Sequence, residues 1–72
     1  MVIVYTSLGC GPCITTKSWL KERNIAFTEK NVESRGVTEE LIALGYRSTP
    51  VIVSDKGTVV GYNPKKLSEV LL

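Results

Sequence analysis

The sequence predicts an α/β fold with a four-stranded mixed sheet and three helices, in the order β-α-β-α-β-β-α. Three observations carry this. The runs Val2-Ile3-Val4-Tyr5-Thr6 and Val51-Ile52-Val53 are β-branched and aromatic with almost no polar break, as in strands buried on both faces. A stretch of helical spacing follows the first run and leads to a second strand, and a helix between two strands of one sheet makes them parallel. Asp55-Lys56-Gly57 carries a hairpin signal, which makes Thr58-Val59-Val60 the antiparallel partner of residues 51–53.

The elements follow in order. After the first strand, Ser7-Leu8-Gly9 is a short loop that delivers Cys10 to a helix over residues 12–23. Pro12 suits its first turn, having no N–H to waste there and a φ already helical. Cys13, Lys17 and Leu20 share one side of it, with Thr16 nearby and Trp19 a packing residue at the edge of a small core. Asn24 is placed to end it in a left-handed cap. Residues 25–32 alternate enough to read as the second strand, and Glu33-Ser34-Arg35-Gly36 as a loop. Thr38-Glu39-Glu40-Leu41 resembles a helix start with Thr38 as N-cap, and Gly45 is its stop. The loop 46–50 runs straight into the third strand. Asn63 and Pro64 cap and open a last helix, whose buried stripe is Leu67, Val70, Leu71 and Leu72.

Length and composition bound the function. One domain, residues 1–72, is near the lower limit for a core that folds without staples or metals. A net charge of +2, with basic residues scattered apart from Lys65-Lys66, argues against nucleic acid or membrane surfaces as partners. No apolar run approaches the ~20 residues of a membrane span. The first residues lack the basic start and cleavage site of a signal peptide, so a cytoplasmic protein is expected. In that reducing compartment a Cys-x-x-Cys pair points to catalysis more than to structure.

That pair, Cys10-Gly11-Pro12-Cys13, contains the only 2 cysteines of the chain. Cysteines one helical turn apart bring their sulfurs within bonding reach. A helix N-terminus carries roughly half a positive charge and unpaired amide N–H groups, and both favour a thiolate, the species that attacks disulfides. A free thiol with a pKa of ~8.5 is only a few per cent ionised at neutral pH, and a drop to ~7 makes it about half ionised. Two plainer readings compete. As a staple the pair is weak, since closing so short a loop contributes about 2 kcal/mol against ~3 for a 15-residue loop. As a zinc site it is incomplete, because zinc normally takes four ligands and the chain has 0 histidines; only two chains together could close a metal or iron–sulfur cluster site. No cofactor is expected.

The element order with Cys-x-x-Cys at the first strand–helix junction resembles the thioredoxin fold in its small, glutaredoxin-like form, over essentially the whole chain. Cys10-Gly11-Pro12-Cys13 is similar to the thioredoxin active-site sequence. Gly45-Tyr46-Arg47-Ser48-Thr49-Pro50 is similar to the glutaredoxin segment that ends in a cis-proline. Gly61-Tyr62-Asn63-Pro64 resembles the turn before the last helix of the NrdH-redoxins, glutaredoxin-like proteins that reduce ribonucleotide reductase. The resemblance implies a cis Pro50 facing the disulfide, with the Thr49 backbone free to pair with an extended substrate strand.

The departures are informative. Thioredoxins carry a tryptophan before the first cysteine and a buried aspartate in the first strand; here Gly9 and Val4 stand there. Glutathione-using glutaredoxins usually place a basic residue in the loop before the first cysteine and acids near the last helix. This chain has Ser7-Leu8-Gly9 and Gly61-Tyr62-Asn63-Pro64 instead, leaving Arg47 as the one carboxylate binder. NrdH-redoxins often show a tryptophan before the Gly61-like position, where this chain has Val59-Val60.

The resulting expectation is a monomeric protein-disulfide oxidoreductase. Cys10 is its attacking thiolate and Cys13 its resolving thiol. Gly11, Pro12, Thr49 and Pro50 form the contact surface, with Leu8, Ile14 and Tyr62 as apolar contacts around it. Its partners are a thioredoxin-reductase-type flavoprotein as electron donor and a client protein disulfide, ribonucleotide reductase being the family's implication. Tyr5 packs beneath the active-site loop. Lys17 either assists the thiolate or is a solvated helix lysine. The alternatives are a glutathione-dependent glutaredoxin and a two-chain metal or cluster carrier.

Overall fold

The computed structural model describes all of residues 1–72. Its elements are β1 (Val2–Thr6), α1 (Gly11–Glu22), β2 (Thr28–Asn31), α2 (Val37–Ala43), β3 (Val51–Ser54), β4 (Gly57–Val60) and α3 (Pro64–Leu71). The sheet order is β2-β1-β3-β4. β1 runs parallel to β2, with Ile3 opposite Thr28, and antiparallel to β3, with Val4 opposite Ile52. β3 and β4 form the hairpin, with Ile52 opposite Val59. This is the mixed-sheet thioredoxin-like fold that the sequence predicts.

Alternation along the central strands splits the core into two layers. Val4, Ile52 and Val59 point to the face where Trp19 and Leu20 of α1 and Leu67 of α3 meet them. Tyr5 and Val51 point to the other face, under Leu41 of α2. Tyr5 thus lies in the core, and burial pushes its phenol up from the ordinary value, with the nearby Glu40 adding to the shift. Trp19 is more central than its expected place at the edge, and the Arg23 guanidinium lies over its ring at 4.0 Å from the ring centre.

α1 and α2 stop in the same way. Asn24, at φ 57°, donates its N–H to Lys21 O, and Ile25 donates to Leu20 O. At the end of α2, Gly45, at φ 96°, donates to Ile42 O, and Tyr46 donates to Leu41 O. These are Schellman pairs, with the apolar residue after the cap packed back on the helix. The second one aims the segment 46–50 toward the start of β3.

Three local expectations are corrected. The second strand begins at Thr28, not Ile25, because Ile25 and Phe27 leave the ladder and pack against the α1 side of the core. Thr38 does not cap α2: Gly36, at φ 84°, is the N-cap, and the Thr38 hydroxyl donates to Val32 O at 2.8 Å. Leu72 is not part of the buried stripe of α3; it is 73% exposed, and Leu67 alone of that stripe is fully buried.

Candidate functional site

β1 and the Ser7–Gly9 loop place Cys10 as the N-cap of α1, in extended backbone at φ −92° and ψ 101°. Its Sγ accepts the Cys13 N–H at 3.1 Å, so a sulfur does the work that a serine or aspartate oxygen does at most helix starts. Pro12 sits in the first turn, as expected. Cys10 and Cys13 are joined by a disulfide, with Cα atoms 5.2 Å apart. The two sulfurs are unequally placed: Cys10 is partly exposed and Cys13 is only 2% exposed. Gly11 and Pro12, between them, are exposed.

The loop before β3 lies alongside. The Thr49–Pro50 bond is cis, and Pro50 is buried. The Ser7 and Thr49 hydroxyls share a hydrogen bond of 2.7 Å, which ties this loop to the segment before Cys10. Gly61 N–H donates to Pro50 O at 2.8 Å, bringing the β4–α3 turn to the same place. Three segments far apart in sequence are therefore tied to one another, one of them the loop that delivers Cys10. Leu8, Ile14 and Tyr62 are exposed apolar side chains on these segments or on the first turns of α1.

A groove of about 320 Å³ opens beside Thr49, with Ser7, Leu41, Tyr46 and Arg47 among its walls. Arg47 is exposed and forms no ion pair. No group of three or more His, Cys, Asp or Glu side chains comes together that could hold a metal ion. No helix is long and apolar enough to cross a membrane.

Lys17 pairs with β2. Its Nζ lies 3.0 Å from a Glu29 carboxylate oxygen that also accepts the Thr6 hydroxyl at 2.8 Å. The Thr6 hydrogen bond first, and Lys17 second, hold the Glu29 carboxyl below the usual carboxylate range. The arrangement braces α1 against the ends of β1 and β2. Glu33 accepts the Leu8 N–H at 3.2 Å and steadies the loop that delivers Cys10. Sequence reasoning missed Glu29 and Glu33, because nothing local marks a carboxylate that serves a residue more than twenty positions away.

With the geometry in place, comparison with known proteins is decisive. The protein-family model described as Glutaredoxin matches residues 2–59. The chain belongs to the glutaredoxin family. A glutaredoxin-like protein NrdH of Lactococcus lactis subsp. cremoris is 37% identical over 71 residues, which cover 97% of this chain and 99% of that protein. Among solved structures, the thioredoxin-like protein BC3987 superposes with a TM-score of 0.87 at 33% identity, over 99% of this chain and 100% of that one. The NrdH-redoxin of Escherichia coli gives a TM-score of 0.86 at 26% identity, over 99% of this chain and 95% of that one. Within the glutaredoxins, this member therefore resembles the NrdH-redoxins and, like them, is a thiol-disulfide oxidoreductase with a redox-active cysteine pair.

Proposed function

We propose that this redoxin carries electrons from a thioredoxin-reductase-type flavoprotein to protein disulfides, ribonucleotide reductase foremost, as a cytoplasmic monomer. The observation that carries the reading is the unequal placement of the two sulfurs: Cys10 partly exposed at the helix cap, Cys13 buried one turn in. The Cys10 thiolate attacks the client disulfide, forming a mixed disulfide and releasing one client thiolate. The Cys13 thiolate then attacks Cys10 Sγ, forming the Cys10–Cys13 bond and breaking the Cys10–client bond. The second client sulfur leaves as a thiolate, and both take protons from solvent. Two electrons pass to the client, and the flavoprotein returns two from NADPH.

The choice of donor follows from the surface. Glutathione is a charged tripeptide, and a site for it needs basic groups for its carboxylates and an acid for its amine. The loop before Cys10 has no basic side chain, and Glu33 already places a carboxylate on the Leu8 N–H. On this reading the contact surface is Gly11, Pro12, Thr49 and Pro50, with Leu8, Ile14 and Tyr62 as the apolar contacts. Such a surface suits docking of a protein, where buried apolar area contributes about 25 cal/mol per Å². The NrdH-redoxin of E. coli is described as having a thioredoxin-like activity profile, which supports the same reading.

The test is NADPH consumption with an insulin-like disulfide substrate, coupled in turn to thioredoxin reductase and to millimolar glutathione with its reductase. Efficient turnover with the first and poor turnover with the second is expected. Equal or faster turnover with glutathione, surviving in Cys13→Ser, would make this a glutathione-dependent enzyme. Alkylation of the reduced protein at pH about 6 is expected to label Cys10 before Cys13; the opposite order reverses the two roles.

A further inference from the structure

The one buried side-chain oxygen or nitrogen without a hydrogen-bond partner in this protein is Oγ1 of Thr16. Thr16 is 0% exposed. Buried hydroxyls are nearly always paired, because an unpaired one bears its desolvation cost with no return. A helical threonine has an easy partner in the carbonyl one turn back. Thr15 takes it, donating to Gly11 O at 3.2 Å, but Thr16 does not.

Thr16 lies three residues after Cys13 on the buried side of α1. Residues three apart on a helix are neighbours, and helical side chains lean toward the preceding turn, so Thr16 covers the turn that carries Cys13. In the state seen here the Cys13 sulfur is bonded to Cys10. A disulfide sulfur is a weak acceptor, whereas a thiolate is a strong one.

We infer that the Thr16 hydroxyl is the hydrogen-bond donor reserved for the Cys13 thiolate, the species that resolves the mixed disulfide. The inference rests on the proposed resolving role of Cys13. The neighbouring elements offer hydrocarbon or side chains that are already engaged. Val4 and Ile52 of the sheet and Leu67 of α3 line the α1 side of the core with hydrocarbon. Lys17 of α1 and Glu29 of β2 are engaged with each other, and Glu29 also with Thr6. On the opposite face of the sheet, Tyr5, Lys30 and Glu40 form their own cluster. Cys10 is the partner in the exchange itself. A positioned hydroxyl lets Cys13 ionise in a buried site without bringing in a second charge.

The test compares Thr16→Val, which keeps the shape and removes the hydroxyl, with Thr16→Ser, which keeps the hydroxyl. In a Cys10→Ser background, the pH midpoint of Cys13 alkylation is expected to rise about one unit in Thr16→Val, a tenfold loss of thiolate, and to stay near the parent in Thr16→Ser. In the two-cysteine protein, at a pH above both alkylation midpoints, equilibrium with glutathione redox buffer is expected to move about tenfold toward the disulfide in Thr16→Val, a potential about 30 mV more negative. The sign follows because losing the donor weakens the reduced form and also removes the unpaired hydroxyl of the oxidised one. A packing role moves neither reading. Coincidence of Thr16→Val with the parent in both, or of Thr16→Ser with Thr16→Val, overturns the inference. The alkylation arm needs no client or reductant, so it judges Thr16 by itself; failure of the redox reading shows separately, as a parent protein whose cysteines do not exchange with glutathione.

Discussion

Leu67→Ala measures how much of this small protein hangs on one side chain. Leu67 is 0% exposed and is the only fully buried residue that α3 contributes to the cluster of Val4, Trp19, Leu20, Ile52 and Val59. The change removes three carbon groups, worth about 0.8 kcal/mol each in transfer from water, or about 2.4 kcal/mol together. A cavity that half collapses, leaving about 40 Å³, adds about 1 kcal/mol more. The expected loss is thus about 3 kcal/mol. A chain of 72 residues has a total stability of about 4–11 kcal/mol, so the variant stays folded at low temperature with a much reduced margin. At about 0.15 kcal/mol/K of unfolding entropy for this length, the melting temperature falls by about 20 °C. Urea unfolding followed by circular dichroism reads the loss, with an unchanged slope against denaturant as the check that the unfolded state is the same. Leu72→Ala is the control: at 73% exposure it is expected to change stability by less than about 0.5 kcal/mol. A Leu67→Ala loss below about 1 kcal/mol, or a Leu72→Ala loss as large as that of Leu67→Ala, would refute the two-layer account of the core.

Three further outcomes are expected. Cys10→Ser abolishes disulfide reduction, while Cys13→Ser accumulates a covalent adduct with the client, visible by mass spectrometry without reductant; release of client by Cys13→Ser at the parent rate would contradict the resolving role. Asn63→Ala removes the side chain that accepts the Lys66 N–H at 3.1 Å and costs about 1 kcal/mol in thermal melts, with Asn63→Asp restoring most of it. Because the folded Glu29 carboxyl titrates below its unfolded value of about 4.3, its contribution to stability is present above that pH and is lost as pH falls through the folded value; Glu29→Gln flattens this part of the urea midpoint profile, and an unchanged acid limb would count against the Thr6–Glu29–Lys17 bracing.

The parts of the fold that could be read from the sequence are those fixed by neighbours along the chain. The helix start at Cys10 to Cys13, the left-handed turn at Asn24, the stop at Gly45 and the cap at Asn63 each follow from one residue and its immediate surroundings. Pro50 was legible as cis only through the family resemblance. Residues 25–27 misled because their apolar spacing fits a strand as well as a connection that packs on the core, and only the position of α1 decides between them. Thr38 misled because α2 begins one residue before it, and its hydroxyl donates back to Val32 O instead of accepting a helix N–H. The long-range polar pairs were illegible for the same reason. Leu8 with Glu33, and Ser7 with Thr49, are set by sheet register and loop closure, which no local pattern encodes.

One consequence of the cap at Cys10 concerns observation of the protein at work. The sulfur that receives the Cys13 N–H is also the sulfur proposed to be exchanged in every turnover. Thiolate, mixed disulfide and internal disulfide are three acceptors of different charge, so the amide of Cys13 meets a different partner in each chemical state. Its nitrogen and proton resonances form a built-in meter of the catalytic cycle, read by nuclear magnetic resonance with isotope alone. A client titrated into the reduced protein would register at that amide before any product is assayed, and no dye or tag need be attached to the surface it docks on.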